Sequence, residues 1–374
     1  MASMAVKTVT SLVSNSLAST PSSTLGSSPS STSNSLASET MEFAQVVQNC
    51  NKFRFNEEQD SLFRFFVLDH DKPVGYVLPS FITEMNWNIR GFEIDLDKKT
   101  VLLNIDLRPG ESIANACDKA LVDFCAKNID KIDRLDLWLQ QHHRNDDSPE
   151  YHPILGLPPQ ISWLRVPSPV RGVFGIVTAG AHMTMYTFKS GNSIPHIWVA
   201  KRSPHVTYAG KYDQLAAGAM APSDGNIPIK TMAREAMEEA GLLVDMETSQ
   251  VTTKQGERLG NLVVGRLISF YDKKNKIAGS ESGQLEPGVR YTFELHVPQW
   301  FEPKPCEPDA IEGFQLLSVD EVKRSLKAGD WKPNSALVML SFLEERGLLG
   351  NGERLNLDVL NSILEYETVQ FDNV

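Results

Sequence analysis

The sequence predicts an α+β protein, namely an α/β/α sandwich preceded by a small α+β domain. Two observations lead to this prediction. Between residues 171 and 318, strand-like apolar runs alternate with a central helical pattern, and two more helical patterns follow. Residues 145–170 carry six prolines and several turn residues, and they separate this region from an earlier half that has strand and helix patterns of its own.

The chain of 374 residues is long enough for two ordinary domains, and 41% of it is hydrophobic, so a core can be buried. Shifts in composition divide it into five predicted parts. These are a transit peptide (1–40), an N-terminal α+β domain (41–150), a Pro-rich junction (151–170), a sandwich domain (171–318) and a C-terminal helical extension (319–374).

The charge balance argues against two classes of partner. The formal net charge is −11, whereas proteins that bind nucleic acid usually present a basic surface. The sequence has no apolar run of the ~18 residues that a membrane span needs. A small phosphorylated substrate is compatible with an acidic chain if a divalent cation reverses the local charge. We therefore expect a small-molecule partner, with neither nucleic acid nor membrane, and the oligomeric state stays open.

The four cysteines, at positions 50, 117, 125 and 306, form no CxxC pair. Cys117 and Cys125 lie eight residues apart in a predicted helix, hence roughly on one face. We expect apolar, buried thiols in a reducing compartment rather than a zinc site.

The N-terminal segment has the composition of an organelle-targeting peptide. Residues 1–38 contain fourteen serines and one lysine, Lys7, and the first acidic residue is Glu39. Rich hydroxyl content without acids predicts a transit peptide, and the scarcity of arginine favours the chloroplast over the mitochondrion. The alternative is a disordered Ser-rich tail with no targeting role.

The N-terminal half shows a helix over 42–57, a hairpin formed by strands at 63–68 and 74–78, a strand at 92–97 and a helix over 112–127. None of these patterns carries a catalytic constellation.

The second half contains most of the predicted strands. They lie at 172–178, 183–188, 194–201, 262–271, 289–297 and 314–318. The predicted helices lie at 228–240, 319–328 and 335–346.

The helix over 228–240 carries the chemistry. Pro228 suits the first helical turn, and Gly241 suits the position just after the helix. Glu235, Glu238 and Glu239 follow the spacing i, i+3, i+4, which puts three carboxylates on one face. Like charges so close repel each other, and a hard divalent cation such as Mg²⁺ or Mn²⁺ would relieve that repulsion. The alternative is a solvated acidic helix face.

Residues Arg234–Leu242 read Arg-Glu-Ala-Met-Glu-Glu-Ala-Gly-Leu, which resembles the second half of the Nudix signature. Gly218, within Leu215–Ala219, resembles the glycine at which the signature opens. The stretch Gly210–Leu215 is similar to the segment before the signature in the Nudix half of fungal thiamine pyrophosphokinases. The N-terminal half looks like the extra domain of a chloroplast branch of plant Nudix proteins. The resemblance implies a Nudix sandwich and metal-dependent hydrolysis of a diphosphate linkage.

The resemblance also assigns roles to residues. It implies that Glu235, Glu238, Glu239 and the backbone carbonyl near Gly218 hold Mg²⁺ or Mn²⁺. Among these, it gives Glu239 and Glu238 catalytic roles as well.

The general base is left open among Glu239, Glu286 and Glu312, of which Glu312 lies in an acidic strand entry that often carries a metal-facing glutamate in relatives. Glu286 is more simply interpreted as a solvated loop charge. Lys201 and Arg202 are candidates to bind phosphate, or they are a solvated strand end.

Three aromatic or imidazole side chains have two interpretations each. His182 is expected to be a satisfied core or surface histidine rather than a ligand. Trp198 and Tyr208 are candidates to stack on a heterocycle, although core packing is the simpler expectation.

The sequence departs from the signature at two places. The upstream glutamate of the signature falls on Asn226, and the spacing from Gly218 to Arg234 is two residues longer than usual. Asp224 is the candidate replacement for the missing carboxylate.

The expected substrate is a nucleoside diphosphate derivative or a damaged thiamine diphosphate-like compound. The altered signature leaves open a non-catalytic Nudix module that binds a ligand or partner. An isomerase of isopentenyl diphosphate is a further alternative, and it would need Cys306 near Glu239.

Overall fold

The computed structural model describes residues 41–144, 149–350 and 354–360. The predicted transit peptide lies outside the described residues. The described residues group into one compact unit, so the predicted boundaries between the N-terminal domain, the junction and the sandwich domain stay a prediction. Among the described residues, no helix is long and apolar enough to cross a membrane.

The predicted helix over 42–57 is two short helices, α1 (Phe43–Gln48) and α2 (Phe55–Glu58). The chain between them is not helical, and hydrogen bonds join it to a neighbouring strand. Phe53 N–H donates to the Tyr271 carbonyl at 3.3 Å, and Asn51 Oδ1 accepts from Tyr271 N–H at 3.0 Å. A helical pattern cannot reveal this long-range pairing, so the single-helix prediction was wrong.

A four-stranded sheet follows, with strand order β2-β1-β4-β3. The predicted hairpin is confirmed, because β1 and β2 pair antiparallel, while β4 pairs with β1 in parallel. The strands are β1 (Phe63–Val67), β2 (Gly75–Val77), β3 (Phe92–Asp95) and β4 (Thr100–Leu103). The helices around them are α3 (Pro79–Glu84), α4 (Ile113–Lys127) and α5 (Leu135–Arg144).

The helix predicted over 112–127 is confirmed as α4, with Ser112 as its N-cap. Its apolar stripe packs on the four-stranded sheet and places Phe124 against Phe174 at 5.1 Å between ring centroids. Cys117 and Cys125 are buried on this face and are free thiols, as expected.

The Pro-rich region contains one short antiparallel pair, β5 (Tyr151–Pro153) with β6 (Arg165–Pro167). The rest of its described part is turns and irregular chain, apart from a 3-10 helix at Ser168–Val170, and residues 145–148 lie outside the described part of the chain.

The second sheet has ten strands among the described residues, and its main path runs β11-β12-β13-β15-β7-β8-β16. Strands β10, β14 and β9 pair with β7, β15 and β8. The strands are β7 (Thr178–Phe188), β8 (Pro195–Arg202), β9 (Tyr212–Asp213), β10 (Ala216–Ala219), β11 (Leu242–Val244), β12 (Gln250–Thr253), β13 (Arg258–Val264), β14 (Ile268–Lys273), β15 (Leu285–His296) and β16 (Ile311–Ser318).

The strand predicted at 172–178 is wrong, because β7 begins only at Thr178 and the segment before it turns at Gly175, whose φ is +56°. The strand predicted at 262–271 is two strands, β13 and β14, which both pair with β15. They separate at Gly265, whose N–H donates to the Thr292 carbonyl at 2.8 Å.

Helices cover both faces of this sheet, as predicted for an α/β/α sandwich. They are α6 (Pro228–Ala240) on one face and α7 (Val319–Lys327) and α8 (Pro333–Glu345) on the other. Neighbouring residues of β8 show the two faces: Trp198 belongs to the core under α6, whereas Ile197 and Val199 belong to the core with α8. Such alternation is the property of a strand buried on both sides.

Two glycines let the backbone of the small sheet approach the chain before β7. Gly75 forms an antiparallel bridge with Ile176, and Tyr76 N–H donates to the Gly175 carbonyl at 3.4 Å. A Cβ at Gly75 would lie 2.3 Å from the Phe174 carbonyl oxygen, and a Cβ at Gly175 would lie 2.0 Å from the Tyr76 carbonyl oxygen. Any side chain at either position would force these backbones apart.

We predict that Gly75→Ala destabilises the protein by about 1–3 kcal/mol, because overpacking against a backbone carbonyl cannot be relieved by a side-chain rotation. Chemical denaturation measures the free energy of unfolding. Gly313→Ala is the matched control, since a Cβ there meets no atom within 4 Å. Equal effects of the two substitutions would contradict the close approach.

Candidate active site

Helix α6 begins and ends where the sequence predicts. Pro228 occupies its first turn, and Gly241 follows it in the left-handed region at φ +66°. The Gly241 N–H donates back to the Met237 carbonyl at 3.1 Å, which closes the helix end. The face of α6 with Met232 and Ala236 packs on the sheet, and this orientation directs its glutamates toward β10.

Glu239 and Glu235 both lie against β10. Glu239 Oε2 accepts the Ala217 N–H at 2.8 Å. The Glu235 carboxyl lies over Gly218, because a Cβ built on that glycine would be 1.9 Å from it. Position 218 therefore needs glycine for Glu235 to reach the sheet.

The two carboxyl groups share a poorly solvated environment. Burial raises the pKa of Glu235 to about 7, against the opposing effect of Arg234. Burial and the neighbouring Glu235 raise the pKa of Glu239 well above its usual range. Buried carboxylates that repel each other would be stabilised by a cation.

Glu235 and Glu239 supply hard carboxylate oxygens, which fit Mg²⁺ or Mn²⁺. The Gly218 carbonyl, which the resemblance implied as a further ligand, faces β7 instead, since its oxygen lies 2.7 Å from the position that a Cβ would take at Gly180. Among the described residues, however, no group of three His, Cys, Asp or Glu side chains is arranged to hold a metal ion.

Arg234 connects the carboxylates of this region. Its Nη1 donates to Glu235 Oε1 at 2.7 Å and to Glu238 Oε2 at 3.1 Å. Its Nη2 donates to the Ala219 carbonyl at 2.8 Å and to Asp224 Oδ2 at 3.1 Å. Burial opposes the charge of Arg234, but its acidic partners, Asp224 first, hold its pKa above the usual range. Glu238 is the outermost of these groups, with half of its side chain exposed.

Asp224 forms an ion pair with Arg234, which the uncharged Asn226 cannot form. The residue is buried, and besides Arg234 it accepts from Thr231 Oγ1 and from Ala221 N–H, each at 2.9 Å. The turn Pro222–Asp224 places it there, while Asn226 has a left-handed φ of +59°. The longer loop thus supplies a carboxylate to Arg234 from a different position, as the sequence suggested.

Glu286 was interpreted from the sequence as a solvated loop charge, and this was wrong. It lies in β15 between Lys274 and Arg290, at 3.1 Å from each, and only 12% of its side chain is exposed. Burial alone would raise its pKa, but the two cations keep that pKa below the usual value. A carboxylate held in this way is a poor proton acceptor.

Glu312 is exposed on β16, next to a bulge between Ile311 and Gly313. It does not line the cleft that Glu235 and Glu239 face. Its predicted catalytic role therefore has no geometric support in this conformation.

A cleft of about 1400 Å³ opens in front of the α6 glutamates. One wall is the exposed face of α5, through Leu137, Gln140, Gln141 and Arg144 at helical spacing. Trp138 Nε1–H donates to the Glu150 carbonyl at 2.8 Å and holds this helix in place. The N-terminal half therefore forms part of the candidate site, which its sequence did not reveal.

Several other residues that the sequence analysis did not select line the same cleft. They come from loops and helix ends, so no motif marks them: His205, Thr207, Glu307, Asp309, Lys332 and Asn334.

The two basic candidates are in different surroundings. Arg202 lines the cleft and pairs with Asp213 at 2.9 Å. Lys201 instead lies over the Tyr212 ring, with its Nζ 4.8 Å from the centroid. Of the pair, the structure therefore brings Arg202 to the site.

The three aromatic and imidazole candidates also lie in different surroundings. His182 is buried and hydrogen-bonded, as expected, with its Nδ1 3.0 Å from Gln214 Oε1, and burial lowers its pKa to about 3, although the residue also lines the cleft. Trp198 packs in the core, whereas Tyr208, although mostly buried, lines the cleft.

Cys306 lies beside the C-terminal end of α6, where its N–H donates to the Glu239 carbonyl at 2.8 Å. Its thiol is exposed and does not line the cleft in front of Glu235 and Glu239. The geometry gives no support to the isomerase alternative, which needs a cysteine inside the site.

Comparison with family models found no match. An uncharacterized protein of Saccharomyces cerevisiae, YJR142W, is 31% identical over 181 residues, which are 48% of this chain and 50% of that protein. The chain thus spans about half the length of this curated relative.

Solved structures with similar regions include the Escherichia coli dihydroneopterin triphosphate pyrophosphohydrolase, at 12% identity and a TM-score of 0.30, over 45% of this chain and 95% of that chain. A Caenorhabditis elegans Ap4A hydrolase matches at 13% identity and a TM-score of 0.28, over 45% and 96% of the two chains. A MutT Nudix hydrolase of Burkholderia pseudomallei matches at 21% identity and a TM-score of 0.26, over 38% and 84%.

We predict that Asp224→Asn lowers the free energy of unfolding by about 1–3 kcal/mol, since it removes the charged partner of the partly buried Arg234. Urea denaturation measures this change, and Asp71→Asn, at an exposed position, is the control. Adding Asn226→Glu should not restore stability, because a glutamate at φ +59° is strained and starts from another part of the turn. Full rescue by Asn226→Glu would contradict the conclusion that Asp224 has replaced the missing glutamate as the partner of Arg234.

Proposed function

We propose that this protein is a Nudix-type hydrolase that cleaves a diphosphate linkage with the help of Mg²⁺ or Mn²⁺. The observation that carries the proposal is the convergence of two carboxylates on β10 at the edge of a large cleft: the buried Glu235 lies over Gly218, and the half-buried Glu239 accepts the Ala217 N–H. The Arg234–Leu242 string supports it independently, because this is the part of the sequence that resembles the Nudix signature.

In this proposal, Glu235 and Glu239 would hold the metal together with a main-chain carbonyl next to Gly218, and Glu238 would complete the set from the mouth of the cleft. When bound, the metal supplies neutralisation of the diphosphate charge and a lower pKa for the attacking water. Arg234 keeps Glu235 and Glu238 oriented through its two hydrogen bonds from Nη1.

The reaction is a substitution at phosphorus by water. The water oxygen bonds to phosphorus, the bridging P–O bond breaks, and the second phosphate fragment leaves with the bonding electrons. The proton of the water passes to a carboxylate. We assign this role to Glu239, since Glu286 is locked between two cations and Glu312 lies outside the cleft.

The proposed substrates are nucleoside diphosphate derivatives or damaged thiamine diphosphate-like compounds. A cleft of about 1400 Å³ accommodates a diphosphate with a heterocyclic group, since typical ligand pockets measure about 300–1,000 Å³. Tyr208 and the amides of Gln140 and Gln141 line the cleft and supply the stacking and hydrogen-bonding groups that such a heterocycle needs.

A second candidate is a non-catalytic Nudix module that binds a diphosphate ligand. The pairing of Glu235 with Arg234 favours it, because an arginine then occupies a carboxylate that a metal would require. Binding of nucleoside diphosphates without metal-dependent turnover of any diphosphate in a broad screen would select this candidate.

We predict that Glu239→Gln lowers kcat on a diphosphate substrate by roughly a hundredfold or more, since a metal contributes several kcal/mol of transition-state stabilisation. The assay screens nucleoside diphosphates, dinucleotides and thiamine diphosphate analogues with Mg²⁺ or Mn²⁺. Glu247→Gln is the control, because that side chain is exposed in the turn after β11. Unchanged turnover by folded Glu239→Gln would exclude the assignment.

We also propose that the protein acts in the chloroplast, on the basis of the Ser-rich segment 1–40. A fluorescent protein fused behind residues 1–40 is expected to enter plastids, and the same fusion without them is expected to remain outside. Cytosolic fluorescence from both fusions would reject the location.

A further inference from the structure

A buried ion cluster lies in the wall of the cleft that Glu239 also lines, and the reaction described above does not use it. Asp213, at the end of β9, accepts from Arg202 Nη1 at 2.9 Å and from Lys332 Nζ at 3.1 Å. Arg202 ends β8, and Lys332 stands just before α8. Two cations from separate elements thus share one carboxylate.

Asp213 has its acceptor positions filled. Ser335 Oγ–H and the Gln214 N–H donate to its other oxygen, the latter at 2.9 Å. Burial alone would raise the pKa of Asp213, but Lys332 and Arg202 hold it well below the usual value, so the carboxylate stays ionised. The cluster therefore carries one more positive charge than negative charge.

Arg202 and Lys332 have more hydrogen-bond donors than Asp213 accepts, and both residues reach the cleft. Both side chains are 16% exposed, and both residues line the cavity. An ammonium group has three donors and a guanidinium group has five. Asp213 accepts one from each, and Thr207 accepts the Arg202 Nε–H at 2.9 Å.

A purely structural role would need only one cation for Asp213, because burying a second one adds a desolvation cost. Lys211, a nearby lysine that lies outside the cleft, provides a comparison. Its Nζ donates to the Gly329 carbonyl at 2.7 Å, and it does not line the cleft.

We propose that Arg202 and Lys332 form a subsite that binds the phosphate group of the substrate that is not attacked. Phosphate oxygens are the acceptors that arginine and lysine recognise most strongly. Arg202 and Lys332 line the same cleft as Glu235 and Glu239, so one diphosphate in the cleft can contact both the carboxylates and the cations. This subsite deepens the hydrolase proposal and rests on it for the identity of the bound phosphate.

The test measures binding without turnover. Inorganic pyrophosphate and inorganic phosphate are titrated calorimetrically into the full chain in metal-free buffer with a chelator. Pyrophosphate should bind the wild type more tightly than phosphate does. Lys332→Met should weaken pyrophosphate binding by roughly tenfold or more, because a charge-assisted hydrogen bond is lost. Lys332→Arg should retain most of the affinity, and the matched control Lys211→Met should leave it unchanged.

Four results would overturn the subsite: no pyrophosphate binding by the wild type, tighter binding of phosphate than of pyrophosphate, equal binding by folded Lys332→Met, or equal weakening by Lys211→Met. If Lys332→Met does not fold, protection of Lys332 by pyrophosphate against reductive methylation of the wild type replaces it. Methylation that pyrophosphate does not slow would also reject the subsite.

The two proposals fail separately. Folded Glu239→Gln should still bind pyrophosphate in the metal-free buffer, so a protein that binds pyrophosphate but hydrolyses no diphosphate retains the subsite and loses the hydrolase. Hydrolysis with pyrophosphate binding that is insensitive to Lys332→Met retains the hydrolase and loses the subsite.

Discussion

The multiple ion pairs of Arg234 are the interaction on which the candidate site depends. One guanidinium group contacts Asp224 from the preceding turn and Glu235 and Glu238 from its own helix. Its planar array of donors allows this, whereas a lysine at the same place could not satisfy three carboxylates in fixed directions. The loop before α6, the helix and the strand edge are tied together through this one side chain, because Arg234 also donates to the Ala219 carbonyl in β10.

Strand β10 imposes a second constraint, which fixes where the carboxyl groups of Glu235 and Glu239 can lie. Gly218 leaves room for the Glu235 carboxyl, and Ala217 offers its N–H to Glu239. Both acids are consequently placed in a poorly solvated position that raises their pKa. Placing the two carboxyl groups there costs solvation free energy. The burial of both faces of the sheet under the two helical layers offsets that cost.

The cleft has regions of opposite charge. The α6 glutamates form the acidic region, and the cluster of Arg202 and Lys332 around Asp213 forms a region with surplus positive charge. An acidic protein can carry a local surplus of positive charge in this way, because Asp213 brings two cations together and then has no free acceptor left. The cleft wall contributed by α5 shows that the N-terminal half belongs to the same site.

The sequence by itself determined the sandwich fold and helix α6, with Pro228, Gly241 and the spacing of its glutamates, because these are local properties of periodicity and capping. Only the tertiary structure decided which charges are buried. Glu286 looked like a loop residue until the partners Lys274 and Arg290 surrounded it, and the 42–57 helix was broken by a strand distant in sequence. The pairing of Lys332 with Asp213 joins residues 119 positions apart. No local pattern records such contacts, since they arise from the packing of separate elements.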